Sequence, residues 1–548
     1  MSTESLVVSA ALPAAGRATH TRVAFVGAGP GDPGLMTLRC RDLIAAADVL
    51  VLDQPARCDL VAPLVRTEVL VVDGGHGEHG EQLTHASRAR KLVEAAREVP
   101  CGSLIVRLMD GDPVLFTGFP EEARALRKAG IPYDVVPGVS AVTAVPAYAG
   151  VPLTSCQAPS VHVVYAGHEP HDWGLALDTS VTVVVLGSAQ RLGATLSGLR
   201  EAGRDPQTAL ALVESGTTTG QRTRVTTLGD VDRLLARGIV GSPVLAVLGP
   251  TVALRESLSW FETKPLFGWQ VLVPRTKEQS GGTVARLGSY GAQALVVPTI
   301  SVEPPRTPHQ MERAVRGVVT GRYAWIGFTS VNAVRAVREK VEAFGLDARV
   351  FAGIGVAAVG GVTAQALRDW GIAPDLVPTG EQSAAGLLEE WPDFEPGEDA
   401  LNRVFLPRAD IATDTLVAGL TEMGWEVDDV TAYRTVRAAP PALHIREAIK
   451  GGSFDAVLFT SSSTVRNLVG IAGKPHAQTV VACIGPATAK TAEEHGLRVD
   501  VLAPTPSADA LVDALATHGT MLALAASEAG EPVRRPSERR HAARRRAR

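Results

Sequence analysis

The sequence predicts an α/β fold built as two successive two-lobed halves, and three observations carry that reading. Short apolar runs of strand length alternate with helical stretches, as at Leu104-Ile105-Val106, Val161-His162-Val163-Val164, Val181 to Leu186 and Leu245-Ala246-Val247-Leu248. Such alternation marks mostly parallel sheets covered by helices. The pattern breaks from Leu254 to Gly268 and restarts at Trp269-Gln270-Val271-Leu272-Val273-Pro274-Arg275, which sets a major boundary near residue 262. The second half then repeats itself. Trp325-Ile326-Gly327-Phe328-Thr329-Ser330 is echoed by Ala456-Val457-Leu458-Phe459-Thr460-Ser461, and Ile354-Gly355-Val356-Ala357-Ala358 by Cys483-Ile484-Gly485-Pro486-Ala487-Thr488. A strand, polar turn and helix recurring at an interval of about 130 residues implies two similar lobes.

The first element is a strand, Val23 to Val26, followed by the turn Gly27-Ala28-Gly29-Pro30-Gly31-Asp32-Pro33-Gly34. A helix is expected over Leu35 to Ala47, with Leu38, Leu43 and Ile44 on one face. Strand, glycine turn and helix present backbone N–H groups to a ligand, and glycines let it approach the main chain. Gly29 to Gly34 formally fits the dinucleotide pattern, with Asp53 as the ribose acid after Val49-Leu50-Val51-Leu52. Its two prolines speak against that use, and a tight turn without a ligand is the plainer alternative. Further turns follow at Asp110-Gly111-Asp112-Pro113, Val136-Pro137-Gly138-Val139-Ser140-Ala141, Glu214-Ser215-Gly216-Thr217 and Gly241-Ser242-Pro243-Val244. In the second half each Thr-Ser turn caps a helix through its hydroxyl and points helix N–H groups at anionic ligands.

Length and charge bound the function. A chain of 548 residues needs two to four domains. No apolar run is expected to span a membrane, and Leu6 to Ala15 lacks a preceding basic residue, so residues 1–21 read as a disordered leader rather than a signal peptide. Five scattered cysteines, Cys40, Cys58, Cys101, Cys156 and Cys483, form no C-x-x-C pair. That argues against a zinc site or a disulfide framework and for a reducing cytoplasm. The net charge of −5 hides a basic end: from Glu531 onward eight arginines face two glutamates, leaving the rest at −11. Residues 526–548 read as a disordered, solvated tail; an acidic body repels nucleic acid, so no nucleic-acid or membrane partner is expected.

Taken in order, the motifs from Gly27 to Gly241-Ser242-Pro243-Val244 resemble the tetrapyrrole methyltransferase family over residues 22–258, and most of all its uroporphyrinogen-III C-methyltransferases. The resemblance implies S-adenosyl-L-methionine held between two α/β lobes, and methylation of uroporphyrinogen III at C2 and C7 to give precorrin-2. It implies cofactor contacts from Pro30, from Asp110, Gly111 and Asp112, and from Leu115, Ser140, Ala141, Leu186 and Gly216. Asp53 falls where the family's proton acceptor stands, and a homodimer through this half is implied. The chain departs from the family in three places. Asp110 replaces the first residue of Gly-Gly-Asp-Pro, Phe116-Thr117-Gly118-Phe119-Pro120-Glu121-Glu122 lacks an arginine, and Val72-Asp73-Gly74-Gly75-His76-Gly77-Glu78-His79 lacks a proton-donating lysine. His76 and His79 are the candidates to take its place. These departures keep a second reading open, in which this half is a non-catalytic binding or scaffold module.

Residues 269–517 resemble uroporphyrinogen-III synthase, on Val273-Pro274-Arg275, Phe328-Thr329-Ser330-Val331-Asn332-Ala333, Thr431-Ala432-Tyr433-Arg434-Thr435, Phe459-Thr460-Ser461-Ser462 and Cys483 to Thr488. The resemblance implies lobe one at 269–303 and 436–517 and lobe two at 304–435, joined by a ladder of Pro298 to Pro304 against Thr431 to Arg437. The implied reaction is cofactor-free cyclisation of hydroxymethylbilane with inversion of its last ring. Tyr433 matches a tyrosine suggested to assist, its alternative being a packing role in the ladder. Thr329, Ser330, Thr460, Ser461 and Thr488 would donate to substrate carboxylates or else simply cap helices, and Arg275 and Arg408 are carboxylate partners by charge. Residues 259–268 would be the linker. The two halves together imply a bifunctional enzyme on the route to sirohaem or cobalamin, with no metal.

Overall fold

The computed structural model describes residues 20–53, 61–62, 64–66, 68–77, 81–166, 171–236, 244–396 and 401–539. Cys58, His79, Gly241 to Pro243 and most of the leader lie outside these residues, as does the tail beyond Arg539. The chain divides into two compact units, Met1–Trp269 with Gly288–Gln293, and Gln270–Leu287 with Ala294–Arg548.

The first unit opens with five strands, β1 (Arg22–Gly27), β2 (Val49–Leu52), β3 (Leu70–Asp73), β4 (Leu104–Met109) and β5 (Tyr133–Val136). They lie in the order β3-β2-β4-β1-β5, and the β2–β3, β2–β4, β1–β4 and β1–β5 pairs are all parallel. β2 and β4 are buried throughout, which a sheet covered on both faces requires. The helix after β1 begins later than the sequence suggests: a 3-10 turn covers Pro33–Leu35, and α1 spans Leu38–Ala46 with Thr37 as its cap. Leu38 is 72% exposed, so the buried face is Cys40 and Ile44 rather than one containing Leu38. Burial pushes the Cys40 thiol up to about 11. Three more helices matter for the site: α2 (His85–Glu98), α3 (Phe119–Lys128) and α4 (Ala141–Tyr148).

The second sheet of this unit contains β6 (Ser160–Tyr165), β7 (Val181–Gly187), β8 (Ala209–Glu214), β9 (Arg222–Thr227) and β10 (Val244–Leu248), in the order β6-β7-β10-β8-β9. Only β6–β7 is parallel; the other three pairs are antiparallel, contrary to the expected mostly parallel sheet. For β8–β9 the reason is connection length. The short turn from Glu214 to Arg222 can join only antiparallel neighbours. Residues 259–268 are not a loose linker, because Phe261 and Leu266 are buried within this unit.

The second unit contains two further sheets. One orders β12 (Gln293–Val296), β11 (Gln270–Val273), β18 (Ala456–Phe459), β19 (Val480–Cys483) and β20 (Val501–Leu502); the other orders β13 (Ile300–Glu303), β17 (Glu426–Arg437), β16 (Arg403–Ala409), β14 (Trp325–Phe328) and β15 (Gly355–Ala358). β13 runs antiparallel to β17, from Ile300 opposite Arg437 to Glu303 opposite Arg434, so the expected two-strand ladder forms at the edge of the second of these sheets. The repeated stretches fold alike. β14 leads through Ser330 into α5 (Val331–Ala343), and β18 leads through Ser461 into α7 (Ser462–Ala472). β15 leads through Gly360 into α6 (Gly361–Asp369), and β19 through Gly485 into α8 (Pro486–Glu494).

The last helix, α9 (Ala508–Glu528), buries Leu511, Val512, Leu515, Ala516 and Gly519. Contrary to expectation it is long and apolar enough to cross a membrane by length and composition. The tail expectation also fails for its described part. Residues 526–528 are helical, Pro536 is buried, and the Ser537 N–H donates to Asp455 at 2.9 Å. Asp455, fully buried, also accepts from the Gln270 N–H. A buried carboxylate needs such donors, and the tail supplies one despite its arginine content.

Candidate active sites

In the first unit the turns that sequence separates meet at the carboxyl ends of β4, β1 and β5, where open α/β sheets bind ligands. Gly29 and Gly111 exchange backbone hydrogen bonds at 3.2 and 2.9 Å. Asp112 accepts from the Gly138 N–H at 3.0 Å and the Val114 N–H at 2.9 Å. Gly27, Gly111 and Gly138 pack backbone on backbone: a Cβ on Gly27 would meet the Gly111 carbonyl oxygen at 2.5 Å and Gly138 Cα at 2.6 Å. Side chains here would drive the three loops apart. Ser140 caps α4 by accepting from Val142, and Gly111 lies against the Ser140–Ala141 backbone.

The second sheet closes the other side. Gly31 lies against Gly216, Thr217 and Thr218, and the Asp32 N–H donates to Thr217 Oγ1 at 3.1 Å. Leu186 pairs with Tyr165 across β7–β6, and the Tyr165 ring stacks on Phe116 at 5.4 Å. Thus the loops that carry Pro30, Gly111, Asp112, Ser140, Ala141 and Gly216 meet, and Leu115 and Leu186 neighbour Phe116 and Tyr165. Asp110 is exposed. Among the described residues three non-glycines have positive φ, and all three lie in these turns: Phe116 at 58°, Ser215 at 47° and Thr217 at 65°. Each such conformation costs about 1–3 kcal/mol and persists only where its surroundings enforce it. Leu115 and Phe116 are 37% and 45% exposed. Exposed apolar side chains beside free-standing backbone turns suit a ligand with a flat apolar part and a polar part.

Asp53 sits at the end of β2, beyond β4, and sequence reading missed what holds it. The Arg107 guanidinium in β4 is 1% exposed and donates to Asp53 at 2.6 Å and, bidentately, to the fully buried Glu122 of α3 at 2.7 and 2.9 Å. Burial alone would lower the pKa of Arg107, but Glu122 and Asp53 outweigh it and raise it. Arg88 of α2 lies 3.4 Å from the other Asp53 oxygen. The signal was an arginine inside Leu104-Ile105-Val106-Arg107-Leu108-Met109, a run with no solvent-facing side.

The loop after β3 packs Gly75 against the Asp53 backbone. His76 does not project freely. Its ring Nδ1 meets Asp73 at 3.2 Å, while the Gly75 and His76 N–H groups donate to the same carboxylate. Burial would raise the Asp73 carboxyl, but these hydrogen bonds hold it below its ordinary value. A lysine does reach the loop, from a helix rather than from the loop itself: Lys91 of α2 donates to the His76 carbonyl at 2.9 Å.

In the second unit the Tyr433 hydroxyl lies 2.9 Å from Ser330 Oγ, which also accepts from the Ala333 N–H. Thr329 precedes this cap, half-buried. Ser461 caps α7 through a reciprocal bond with Thr464, with Thr460 half-buried beside it. Ser462 Oγ donates to the Ala487 carbonyl at 3.0 Å, which sets the N-termini of α7 and α8 side by side. Thr488 is buried in the first turn of α8. One expected ligand, Arg408, is otherwise engaged. Arg408, 5% exposed, is committed bidentately to Asp429 and to the Thr413 carbonyl. Arg275 differs: half-buried, its guanidinium makes no ion pair among the described residues, and burial pulls its pKa down.

These features define a class: an α/β unit whose glycine turns pack together at the sheet's carboxyl end, followed by a two-sheet unit with hydroxyl-capped helix N-termini. Residues 22–232 match the model of the Tetrapyrrole (Corrin/Porphyrin) Methylases, and residues 282–513 that of Uroporphyrinogen-III synthase HemD. The chain is 32% identical over 518 residues to the porphyrin biosynthesis protein HemD of Ruminiclostridium josui, covering 91% of this chain and 98% of that protein. It is 36% identical to the S-adenosyl-L-methionine-dependent uroporphyrinogen III methyltransferase of Methanosarcina barkeri, over 44% of this chain and 95% of that one. A solved uroporphyrin-III C-methyl transferase from Thermus thermophilus is 32% identical over 42% of this chain and 99% of its own, with a TM-score of 0.34. The chain belongs to the tetrapyrrole methylases in its first half and to the uroporphyrinogen-III synthases in its second, as a fusion of the two.

Proposed function

We propose that the second unit cyclises hydroxymethylbilane to uroporphyrinogen III, and that the first methylates this product at C2 and C7 with S-adenosyl-L-methionine to give precorrin-2 for sirohaem or cobalamin. The observation that carries the reading is the joint of Gly27, Gly111 and Gly138, which gathers three loops into one cleft. The Methanosarcina relative, whose name states both cofactor and substrate, supports it. S-adenosyl-L-methionine supplies an electrophilic methyl group. The chain must then orient the pyrrole carbon and accept the proton that the macrocycle loses elsewhere as the new C–C bond forms and the S–CH3 bond breaks. Asp53, aimed by Arg107 and Arg88, is our candidate acceptor, and Lys91 is the ammonium at the neighbouring loop. Arg88 and Lys91 also suit substrate carboxylates.

In the second unit Tyr433 and Ser330 form a hydroxyl pair able to pass a proton to the departing substrate hydroxyl. The N-termini of α7 and α8, with Arg275, favour anionic groups. We read the enzyme as cytoplasmic and dimeric through its first unit. Calorimetry with S-adenosyl-L-methionine tests the cofactor reading. Wild type should bind, and Asp112→Ala, which frees the Gly138 and Val114 N–H groups, should weaken binding about tenfold. A wild-type chain that binds none would leave the first unit as a scaffold beside an active synthase.

A further inference from the structure

We infer that Glu262, in the stretch that sequence marks as linker, is a positioning residue for the cofactor cleft of the first unit. The contacts from it to the cleft are continuous. Glu262 Oε1 accepts from Gln221 Nε2 at 2.8 Å, and Oε2 accepts from Arg255 at 2.8 Å. Gln221 is fully buried, and its own Oε1 accepts the Thr217 N–H at 2.8 Å. Thr217 is the β-branched residue at φ 65°, and its Oγ1 takes the Asp32 N–H of the first glycine loop.

A glutamine side chain can turn either end toward Thr217. The Thr217 N–H needs an acceptor, so the oxygen must face inward and the amide NH2 outward. A carboxylate only accepts, so Glu262 permits that orientation and opposes the flipped one. Arg255 holds the carboxylate in place and also donates to the Ala149 carbonyl. The stretch itself is anchored: Phe261 is 5% exposed, and Trp260 Nε1 donates to the Ala147 carbonyl at 2.9 Å. Glu262 therefore fixes Gln221, Gln221 fixes the strained turn, and the turn fixes the first loop.

This inference rests on reading the cleft as the S-adenosyl-L-methionine site. The test uses the full-length chain with S-adenosylhomocysteine as probe, in calorimetry, and both substrates in steady state. Glu262→Ala should weaken probe binding roughly tenfold, as loss of a buried hydrogen-bonding partner does. It should raise KM for S-adenosyl-L-methionine, leaving KM for uroporphyrinogen III and the rate of uroporphyrinogen III formation unchanged. Gln221→Glu should do the same, because two carboxylates would then face each other. The double variant Gln221→Glu with Glu262→Gln restores donor against acceptor and should recover most of the binding, which a merely structural defect would not. Equal binding by wild type and both single variants, or a double variant no better than Gln221→Glu, overturns the inference. A wild-type chain that does not bind the probe overturns the cofactor reading beneath it.

Discussion

Arg107 is the residue on which the methyltransferase unit most visibly depends. It lies inside a buried parallel strand and joins Glu122, which has no access to water, to Asp53, which has some. Such an ion pair is weak evidence of net stability, but removing one partner strands the other charge. Arg107→Met should therefore destabilise the chain by roughly 3–5 kcal/mol in denaturant unfolding, and Arg107→Met with Glu122→Leu should recover much of that. An unchanged midpoint for the single variant would refute the assignment. Sequence made Asp53 legible, as an acid ending an apolar run. It did not make Arg107 legible as its partner, because pairing across 54 residues is set by strand order. The same limit hid Lys91: a search along the loop after β3 finds no lysine, whereas the fold delivers one from α2. Arg408 erred in the opposite direction. It looked available for a substrate carboxylate until Asp429, on the neighbouring strand β17, proved to hold it.

At the scale of elements, turns were read better than strand direction. The glycine turns after β1 and β4 were recognisable because glycine and proline restrict what a backbone can do. Their meeting at Gly29 and Gly111 was not, since it depends on β1 and β4 being neighbours. The mixed second sheet was missed because strands buried on both faces look alike in either direction. The last helix carries a pH dependence. Burial lowers the pKa of His518 below its ordinary 6.5; Asp500 opposes the shift, while Arg539 and Arg498 reinforce it. The unfolded chain then binds the proton more readily, so this contribution to stability is complete above pH 6.5 and declines as pH falls toward the folded value. The urea midpoint should drop between about pH 7.5 and about pH 5.5, and His518→Gln should drop less. A variant with the wild-type slope would exclude His518 as a source.

For the whole molecule, two halves and an internal repeat were legible because hydrophobic periodicity reports repeated strand–turn–helix units without knowledge of their packing. Composition was the poorer guide. An arginine-rich end suggested disorder, yet Ser537 satisfies the buried Asp455, and apparent linker residues are core of the first unit. On the proposed reading the fusion has a chemical rationale, since uroporphyrinogen III made by the second unit would be the substrate of the first. The most direct test supplies the purified chain with hydroxymethylbilane and S-adenosyl-L-methionine and follows the macrocycles by mass and isomer analysis. Uroporphyrinogen III should form and be consumed to a dimethylated product, with two molecules of S-adenosylhomocysteine released per macrocycle. Uroporphyrinogen III accumulating unmethylated, with no S-adenosylhomocysteine formed, would contradict the proposed reading.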